Sequence, residues 1–468
     1  MPVNSFDDYP LTWKPGRTLL KSPIYLSLAA LLERDIISGR LAPNTKLPPQ
    51  RELADFLDIS LSTVTRTFKR CENKGLLYAV VGRGTFVSPN AALPGTNNAG
   101  TASFIQLGSI RPYYQFNAVI AGTAKAILQA PNSEKLFEFD STLGTSRQKQ
   151  VARQWLAHFQ VIADLKNILL TAGTQNGLVM TLLALFHAGD KIATDTYTYY
   201  NFIGLAKQLH IQLVPIAADA NGMLPDALEK QRKTMKINGI YLMPACANPT
   251  GIRMPSERRR DIATVISRSD MILIEDDAYG FTIGHTTTPI AAIIPEHTVY
   301  LHGLSKSLAA GLRIAYLVCP NQLRDDFLNA ANAINLKIPL LNAEIATELI
   351  DSGKAAEIIQ KKCLLSQERN KVFKAYFPAH TATNPYSFFQ WLPLPKSCNG
   401  YHFEVQAKNH GVGILCSDRF AVGSAPGPSA VRLATCSPAT TDDLDKGLQM
   451  IEKLIKDNRT IQREAFIV

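Results

Sequence analysis

The spacing of apolar positions predicts that the chain begins with helices. Ile24, Leu28, Leu31, Leu32 and Ile36 recur at helical intervals and Gly39 ends the run, which predicts a helix over Ile24 to Ile37. Pro48-Pro49 opens a second helix with Leu53, Ala54, Phe56 and Leu57 on its inner side. Proline is tolerated there because the first helical amides lack partners in any case. After the turn Asp58-Ile59-Ser60, a third helix turns Val64, Phe68 and Cys71 inward and Ser62, Thr63, Arg66, Lys69 and Arg70 outward. Two short strands, Leu76 to Val81 and Thr85 to Ser88, then flank the tight turn Gly82-Arg83-Gly84.

The pattern breaks from Ser88 to Ser103, SPNAALPGTNNAGTAS, which has no charge and a single Leu. Such a stretch holds no regular structure and reads as a flexible tether spanning about 20 Å. Beyond it, ILLTAG, KIATDTY, QLVPI, IYLMP, MILIED, VYLHG and RIAYLVC are short apolar strands separated by helical stretches or longer crossovers. That alternation predicts a parallel α/β sheet covered on both faces. From Ile334 a smaller α/β unit is expected, with strands at Phe388 to Leu392, Val412 to Leu415 and Ala430 to Thr435 and a closing helix from Asp442 to Lys456. The expected organisation is a head over 1–88, a linker over 89–103, a large unit over 104–333 and a small one over 334–468.

Composition narrows the class. At 46% apolar residues over a chain of 468, disorder throughout is excluded. The net charge of +10 permits a polyanionic partner without requiring one. The 7 cysteines are odd in number and scattered, and no Cys-x-x-Cys occurs, so a disulfide scaffold and a zinc finger are not expected and a reducing cytoplasm is. No metal site is expected. MPVNSFDDYPLTW lacks the basic start and apolar run of a secretory signal. The longest strongly apolar run, Gly177 to Phe186, is too short to cross a bilayer.

Two helices joined by a short turn, the second with a polar and basic outer face, suit the major groove of DNA, and hydroxyls and amides at that helix's start can meet phosphates or base edges. Between Leu61 and Val87 lie Arg66, Lys69, Arg70, Lys74 and Arg83 against the single acid Glu72. On helix spacing alone, a small protein-interaction domain with a solvated face fits equally well.

In the body, chemistry gathers at the carboxyl ends of strands. After ILL comes Thr171-Ala172-Gly173-Thr174-Gln175-Asn176, a glycine turn into a helix start that suits a phosphate. KIATD is followed by Tyr197-Thr198-Tyr199-Tyr200, and IYLMP by Ala247-Asn248-Pro249-Thr250-Gly251. MILI leads into Glu275-Asp276-Asp277-Ala278-Tyr279, three neighbouring acids that need partners or solvent. VYLHG leads into Ser305-Lys306-Ser307, then Gly311-Leu312-Arg313. Each piece has an ordinary structural explanation. Together, an amine, a phosphate cradle, an aromatic face and a carboxylate match pyridoxal 5′-phosphate, which needs a lysine Schiff base and an acid at its ring nitrogen.

LAPNTKLPPQRELADFLDISLSTVTRTFKRCENKGLLYAVVGRGTFV resembles the winged helix-turn-helix of the GntR regulators. The resemblance implies DNA contacts from Arg51, Ser60, Ser62, Thr63, Arg66, Gly82 and Arg83. Many members have Arg directly after the turn serine where this chain has Leu61, so operator preference cannot be carried over. From about Phe104 to Asp457 the body resembles the fold-type I aminotransferases, with G-T-Q, N-P-T-G, D-x-x-Y, S-K and R in the family's order.

That second resemblance implies a Schiff base on Lys306, with Asp276 at the ring nitrogen and Asn248 and Tyr279 at the ring hydroxyl. It implies Tyr199 stacked on the ring, with Tyr197 the competing candidate. Gly173, Thr174, Gln175, Ser305 and Arg313 would hold the phosphate, and Arg432 would grip a substrate or effector carboxylate. The family often has a serine two residues before S-K where this chain has Gly303, so one phosphate hydroxyl is expected to be missing.

A head and body so joined resemble the MocR subgroup of GntR regulators. The implied protein is a cytoplasmic homodimer that binds double-stranded operator DNA and senses an amino acid, an amine or the cofactor itself through Lys306. Two other readings remain open at this point: a working aminotransferase that carries a DNA-binding head, and a DNA-binding protein whose body has lost the cofactor.

Overall fold

Three helices, Ile24–Ile37, Gln50–Leu57 and Leu61–Asn73, and a hairpin of Leu77–Val80 against Gly84–Val87 form the head. The computed structural model describes residues 11–465 apart from 39, 44, 81–83, 89–103, 139–142, 284–286, 336, 381–383, 397 and 424–426. The expected tether and the wing residues Gly82 and Arg83 therefore lie outside the described residues. The head has a core of its own, built from Leu28, Leu32, Ile36, Leu53, Leu57, Val64, Phe68, Cys71 and Val87. Its third helix starts where the Ser60 hydroxyl accepts the Thr63 amide at 3.2 Å, which satisfies one of the donors every helix start leaves free. Asp58 makes the preceding turn in the left-handed region, at φ 50°.

The seven expected strands all form and join one sheet. Their order is Ile168–Thr171, Ala315–Val318, Thr298–Gly303, Ile272–Asp276, Gly239–Leu242, Lys191–Asp195 and Gln212–Ile216. The sheet is mixed, which corrects the expectation of parallel strands throughout. Ala315–Val318 runs antiparallel to both neighbours. Only residues 304–314 separate it from Thr298–Gly303, and a parallel return needs a crossover of a dozen or more residues. Successive residues of the central strands go to opposite faces. Ile192, Tyr241 and Ile274 enter one core, and Ala193, Ile240, Leu242 and Leu273 the other.

The first residues after 333 add to the larger of these cores. Leu340–Asp351 contributes Ala343, Ile345, Ala346 and Leu349, and the start of Lys354–Tyr376 contributes Ala355 and Ile358. A separate core of the C-terminal unit joins Leu107 to Phe373, Leu392, Val412, Val431 and Leu433. It packs under an antiparallel sheet in the order Gln390–Pro393, Ala430–Leu433, Leu415–Cys416. The expected strand Val412 to Leu415 is divided, because Val412–Gly413 pairs instead with Ile105–Gln106 from the start of the body. The closing helix runs Thr441–Ala465, beyond the expected Lys456, and buries Leu444, Leu448, Ile451 and Ile455 along one stripe.

Among the described residues the head touches the body through Ile36 and Ala42 and through the hairpin. The Tyr401 hydroxyl donates to the Ile36 carbonyl at 3.2 Å, beside Ala42, which packs on the core of the C-terminal unit. The Lys207 ammonium lies 3.9 Å from the centre of the Tyr78 ring in the hairpin.

Because the Ser60 hydroxyl caps the third helix, Ser60→Ala is expected to loosen that helix by about 1 kcal/mol, while Ser60→Asp keeps the cap. Amide hydrogen exchange over Leu61–Asn73 in DNA-free protein measures this, and unchanged exchange in the alanine variant would contradict it.

Candidate functional site

A cleft with about 830 Å³ of empty space opens at the carboxyl ends of the central strands. It is lined by every body residue to which the resemblance gives a cofactor or effector role, except Gly173 and the alternative Tyr197. Gly173 stands one position behind the lining residue Thr174 as the cap of the helix Thr174–Leu185. Tyr197 turns away: its ring packs 5.4 Å from that of Trp391 and its hydroxyl donates to the Pro428 carbonyl. Tyr199 lines the cleft.

One corner of the cleft is built for an anion. The helix Thr174–Leu185 starts there and presents amides without helical partners. Gly173 has φ 85°, and a Cβ on it would stand 2.7 Å from Arg313 Nη2, so a larger residue would push the guanidinium off the corner. Arg313, itself left-handed at φ 50°, donates to the Ser305 hydroxyl at 3.1 Å. A Cβ on Gly303 would lie 2.3 Å from the Thr174 hydroxyl. The Thr174 side chain thus occupies the space that glycine at 303 leaves.

The three neighbouring acids each have a separate partner. Glu275 faces the other core and accepts the amides of Ile290 and Ala291 at the start of a short helix. Asp277 meets the Tyr300 hydroxyl and His302 Nδ1, and His302 Nε2 in turn receives the Trp155 indole at 3.1 Å. Asp276 alone lines the cleft. Burial drives its carboxyl up to about 7, opposed by the Tyr241 hydroxyl bonded to it and assisted by Asp277.

Lys306 sits in the four-residue helix Leu304–Ser307 that ends the strand Thr298–Gly303. Burial lowers its amine from 10.5 to about 8, with Arg432 and Arg313 pushing the same way and Cys436 the opposite way. Arg432 donates to Asn248 Oδ1 at 2.7 Å and to the Gly108 carbonyl at 2.6 Å. Its Nε and the Gln175 side-chain carbonyl are buried without partners, and both residues line the cleft. Orphaned polar atoms of this kind fit a site whose remaining contacts come from a ligand.

Sequence reasoning missed several groups here. Ser109, Ile110, Tyr200 and Met243 also line the cleft. Ser109 and Ile110 arrive from a segment with no motif of its own. The inner face of the helix Lys354–Tyr376 was missed as well, and its signal was available as polar residues at buried positions. Lys362 donates to the Lys306 and Leu308 carbonyls at 3.2 and 2.7 Å. Ser366 bonds the Tyr113 hydroxyl, Arg369 holds the Thr435 and Pro438 carbonyls, and Asn370 holds those of Pro385 and Ser387. One helix therefore grips both the lysine segment and the end of the Arg432 strand.

On the head, Arg51, Ser62 and Arg66 are exposed and Thr63 half-exposed. Arg66 lies 4.2 Å from the Tyr25 ring centre. Ser60 is exposed but its hydroxyl is engaged in the cap, and Leu61 stands 41% exposed beside it. Among the described residues no cluster of three His, Cys, Asp or Glu is placed to hold a metal ion.

Comparison with known proteins agrees with both halves. Residues 24–87 match the model for bacterial regulatory proteins of the gntR family, and residues 105–451 match that for aminotransferases of class I and II, a family that uses pyridoxal phosphate. The two together define a DNA-binding regulator with an aminotransferase-like domain. The uncharacterized HTH-type transcriptional regulator YdeF of Bacillus subtilis is 35% identical over 98% of this chain and 100% of its own. YjiR of Escherichia coli, also an uncharacterized HTH-type regulator, is 25% identical over 80% and 86%. Among solved structures, an archaeal alanine:glyoxylate aminotransferase superposes with TM-score 0.71 at 24% identity, covering 76% of this chain and 91% of that one. LysN, an alpha-aminoadipate aminotransferase of Thermus thermophilus complexed with a phosphopyridoxyl-leucine, gives 0.70 at 20% identity over 76% and 93%. At these identities the likeness shows the fold. The chain belongs to the MocR-type gntR regulators, with an aminotransferase class I and II body.

The fit between positions 174 and 303 generates a test. Gly303→Ser is expected to lower affinity for pyridoxal phosphate about 10-fold by clashing with Thr174, and Thr174→Ala to lower it less. The double variant should recover most of the loss, since the new serine then supplies the hydroxyl. Equilibrium binding of the cofactor reads all three, and simple additivity would refute the pairing.

Proposed function

We propose that the protein is a pyridoxal-phosphate-dependent transcription regulator whose body senses an amino acid or amine and whose head binds operator DNA. In this reading Lys306 holds the cofactor covalently and Asp276 faces its ring nitrogen. Asn248 and Tyr279 bond the ring hydroxyl, and Tyr199 stacks on the ring. Gly173, Thr174, Gln175, Ser305 and Arg313 hold the phosphate. Arg432 exchanges its bonds to Asn248 and Gly108 for an effector carboxylate. When bound, the cofactor's aldehyde supplies an electrophile that an amine effector can capture in place of Lys306. Arg51, Ser62, Thr63, Arg66 and Arg83 face DNA, with Gly82 in the wing and Ser60 shaping the helix start.

The observation that carries this reading is the helix Tyr200–Gln208. Tyr199 and Tyr200 at its start line the cleft, and Lys207 near its end lies over Tyr78 of the head hairpin. From Tyr200 to Lys207 the helix spans about 10 Å, so a ligand that shifts its start reaches the head through one rigid element. The shift in operator affinity is bounded by the ligand's differing affinity for the two arrangements.

A homodimer is part of the proposal. Tyr114, Val119, Leu128 and Phe137 are 51%, 38%, 44% and 69% exposed along one stretch of the body, an apolar surface suited to a second copy. No described helix is long and apolar enough to cross a membrane, and a cytoplasmic site of action follows from the proposed operator. One observation favours a second reading, an active aminotransferase: Lys306, Asp276, Arg313 and Arg432 all line the same cleft.

A gel shift with promoter DNA, with and without pyridoxal phosphate, tests the proposal. Binding should respond to cofactor and weaken steeply with salt. Lys306→Ala should leave the protein colourless and the shift unresponsive, and Lys207→Ala should leave it coloured but reduce the response. Rapid turnover of an amino acid without any effect of cofactor on DNA would favour the enzyme instead.

The lowered amine gives a pH dependence. Only the neutral amine attacks an aldehyde, so attachment of pyridoxal phosphate, followed by absorbance, should speed up as pH rises through about 8 and level off above it. A rate still climbing toward the ordinary lysine value would contradict this.

A further inference from the structure

Beneath the floor of the cleft, Tyr241 has no part in the reading above. It lies on the strand Gly239–Leu242, which pairs in parallel with the strand that ends in Asp276. Its side chain is fully buried and its ring lies flat on that of Phe202, with centroids 3.8 Å apart and planes 12° from parallel. Its hydroxyl donates to Asp276 Oδ2 at 2.8 Å, while Asp276 Oδ1 accepts the Ala278 amide at 3.2 Å. The carboxylate is therefore held at both oxygens, once by the backbone and once by a side chain.

We propose that Tyr241 is a positioning residue that orients Asp276 and keeps its carboxylate ionised for the ring nitrogen of bound pyridoxal phosphate. This rests on the cofactor reading above. A buried phenol always takes some acceptor, so the bond alone would be unremarkable in a core. Three features give it a direction. The acceptor is the one acid of the three that lines the cleft, whereas Glu275 and Asp277 are held elsewhere. Burial and the neighbouring Asp276 keep the phenol well above its ordinary pKa, so it acts only as a donor and favours the charged carboxylate. Phe202, which clamps the ring, belongs to the same helix whose start lines the cleft, so the donor cannot swing away without disturbing that wall.

Burial raises the Asp276 carboxyl to about 7 even with the Tyr241 and Ala278 bonds opposing it, and a protonated acid cannot pair with a cationic ring nitrogen. The titratable groups facing the pair are Asp277 from the same strand, Tyr199 before the helix Tyr200–Gln208, and Tyr279. Of these, Asp277 works against ionisation of Asp276, which leaves Tyr241 and the Ala278 amide to support it.

The test uses the full-length protein as wild type, Tyr241→Phe, Asp276→Asn and the double variant. Two quantities are read: equilibrium affinity for pyridoxal phosphate, and the pH at which the bound cofactor's visible band interconverts with its shorter-wavelength form. Tyr241→Phe keeps the ring and its stacking. It should weaken binding about 10-fold. The visible band should persist to higher pH, because a less cationic ring releases the adjacent proton less readily. The double variant should bind no worse than Asp276→Asn alone, since Tyr241 acts through that acid. If Tyr241→Phe matches wild type in both readouts, or if the two losses add, the proposal is wrong while the cofactor reading stands. A wild type that retains no pyridoxal phosphate, or an Asp276→Asn variant that binds it as well as wild type, would overturn the cofactor reading and this one together.

Discussion

Desolvation is the constraint on which the site depends. The central strands bring an amine and a carboxyl group to one cleft and remove both from water, so each drifts toward its neutral form: Lys306 down to about 8 and Asp276 up to about 7. Neither state would persist on a solvated surface, where water supports the charged forms of both. The surrounding structure maintains this condition: the Leu304–Ser307 segment is held from behind by Lys362, and Asp276 is held from below by Tyr241. Lys362 is lowered by burial to about 7, and its amine meets two carbonyls without an acid among its bonds. Behind the lysine segment the interior thus supplies acceptors to Lys362 from the backbone and not from an acid.

Much of this was legible along the chain, and the reason differs by element. The seven central strands were visible as short apolar runs, and five of them are closed by polar, chemistry-bearing turns of the kind where α/β sheets place their ligands. The head was visible because its apolar positions follow helical spacing and Ser60, Pro48 and Pro49 mark helix starts. Strand direction was not visible in the same way. The residues of Ala315–Val318 are as apolar as their neighbours, and only the shortness of the 304–314 connection distinguishes the strand as antiparallel.

What remained hidden were contacts made across long separations. Ser109 joins Arg432 in the cleft because Ile105–Gln106 pairs with Val412–Gly413, a two-residue match that no local pattern announces. The close fit of Thr174 against Gly303 was hidden for the same reason: Thr174 follows the family's G-T-Q pattern, Gly303 departs from it, and their contact exists only in space. The choice between Tyr199 and Tyr197 was equally spatial, since both lie in one aromatic run and only one faces inward.

The buried polar face of the helix Lys354–Tyr376 has a mechanical consequence. A greasy helix can slip along its neighbours by small steps, because dispersion contacts are interchangeable. This one is pinned through Lys362, Ser366, Arg369 and Asn370 to fixed backbone and hydroxyl partners on both units, and a slide by one turn would break all of those bonds at once. The helix thus fixes the spacing of the lysine segment and the segment after the Arg432 strand, since both are tied to the same rigid rod.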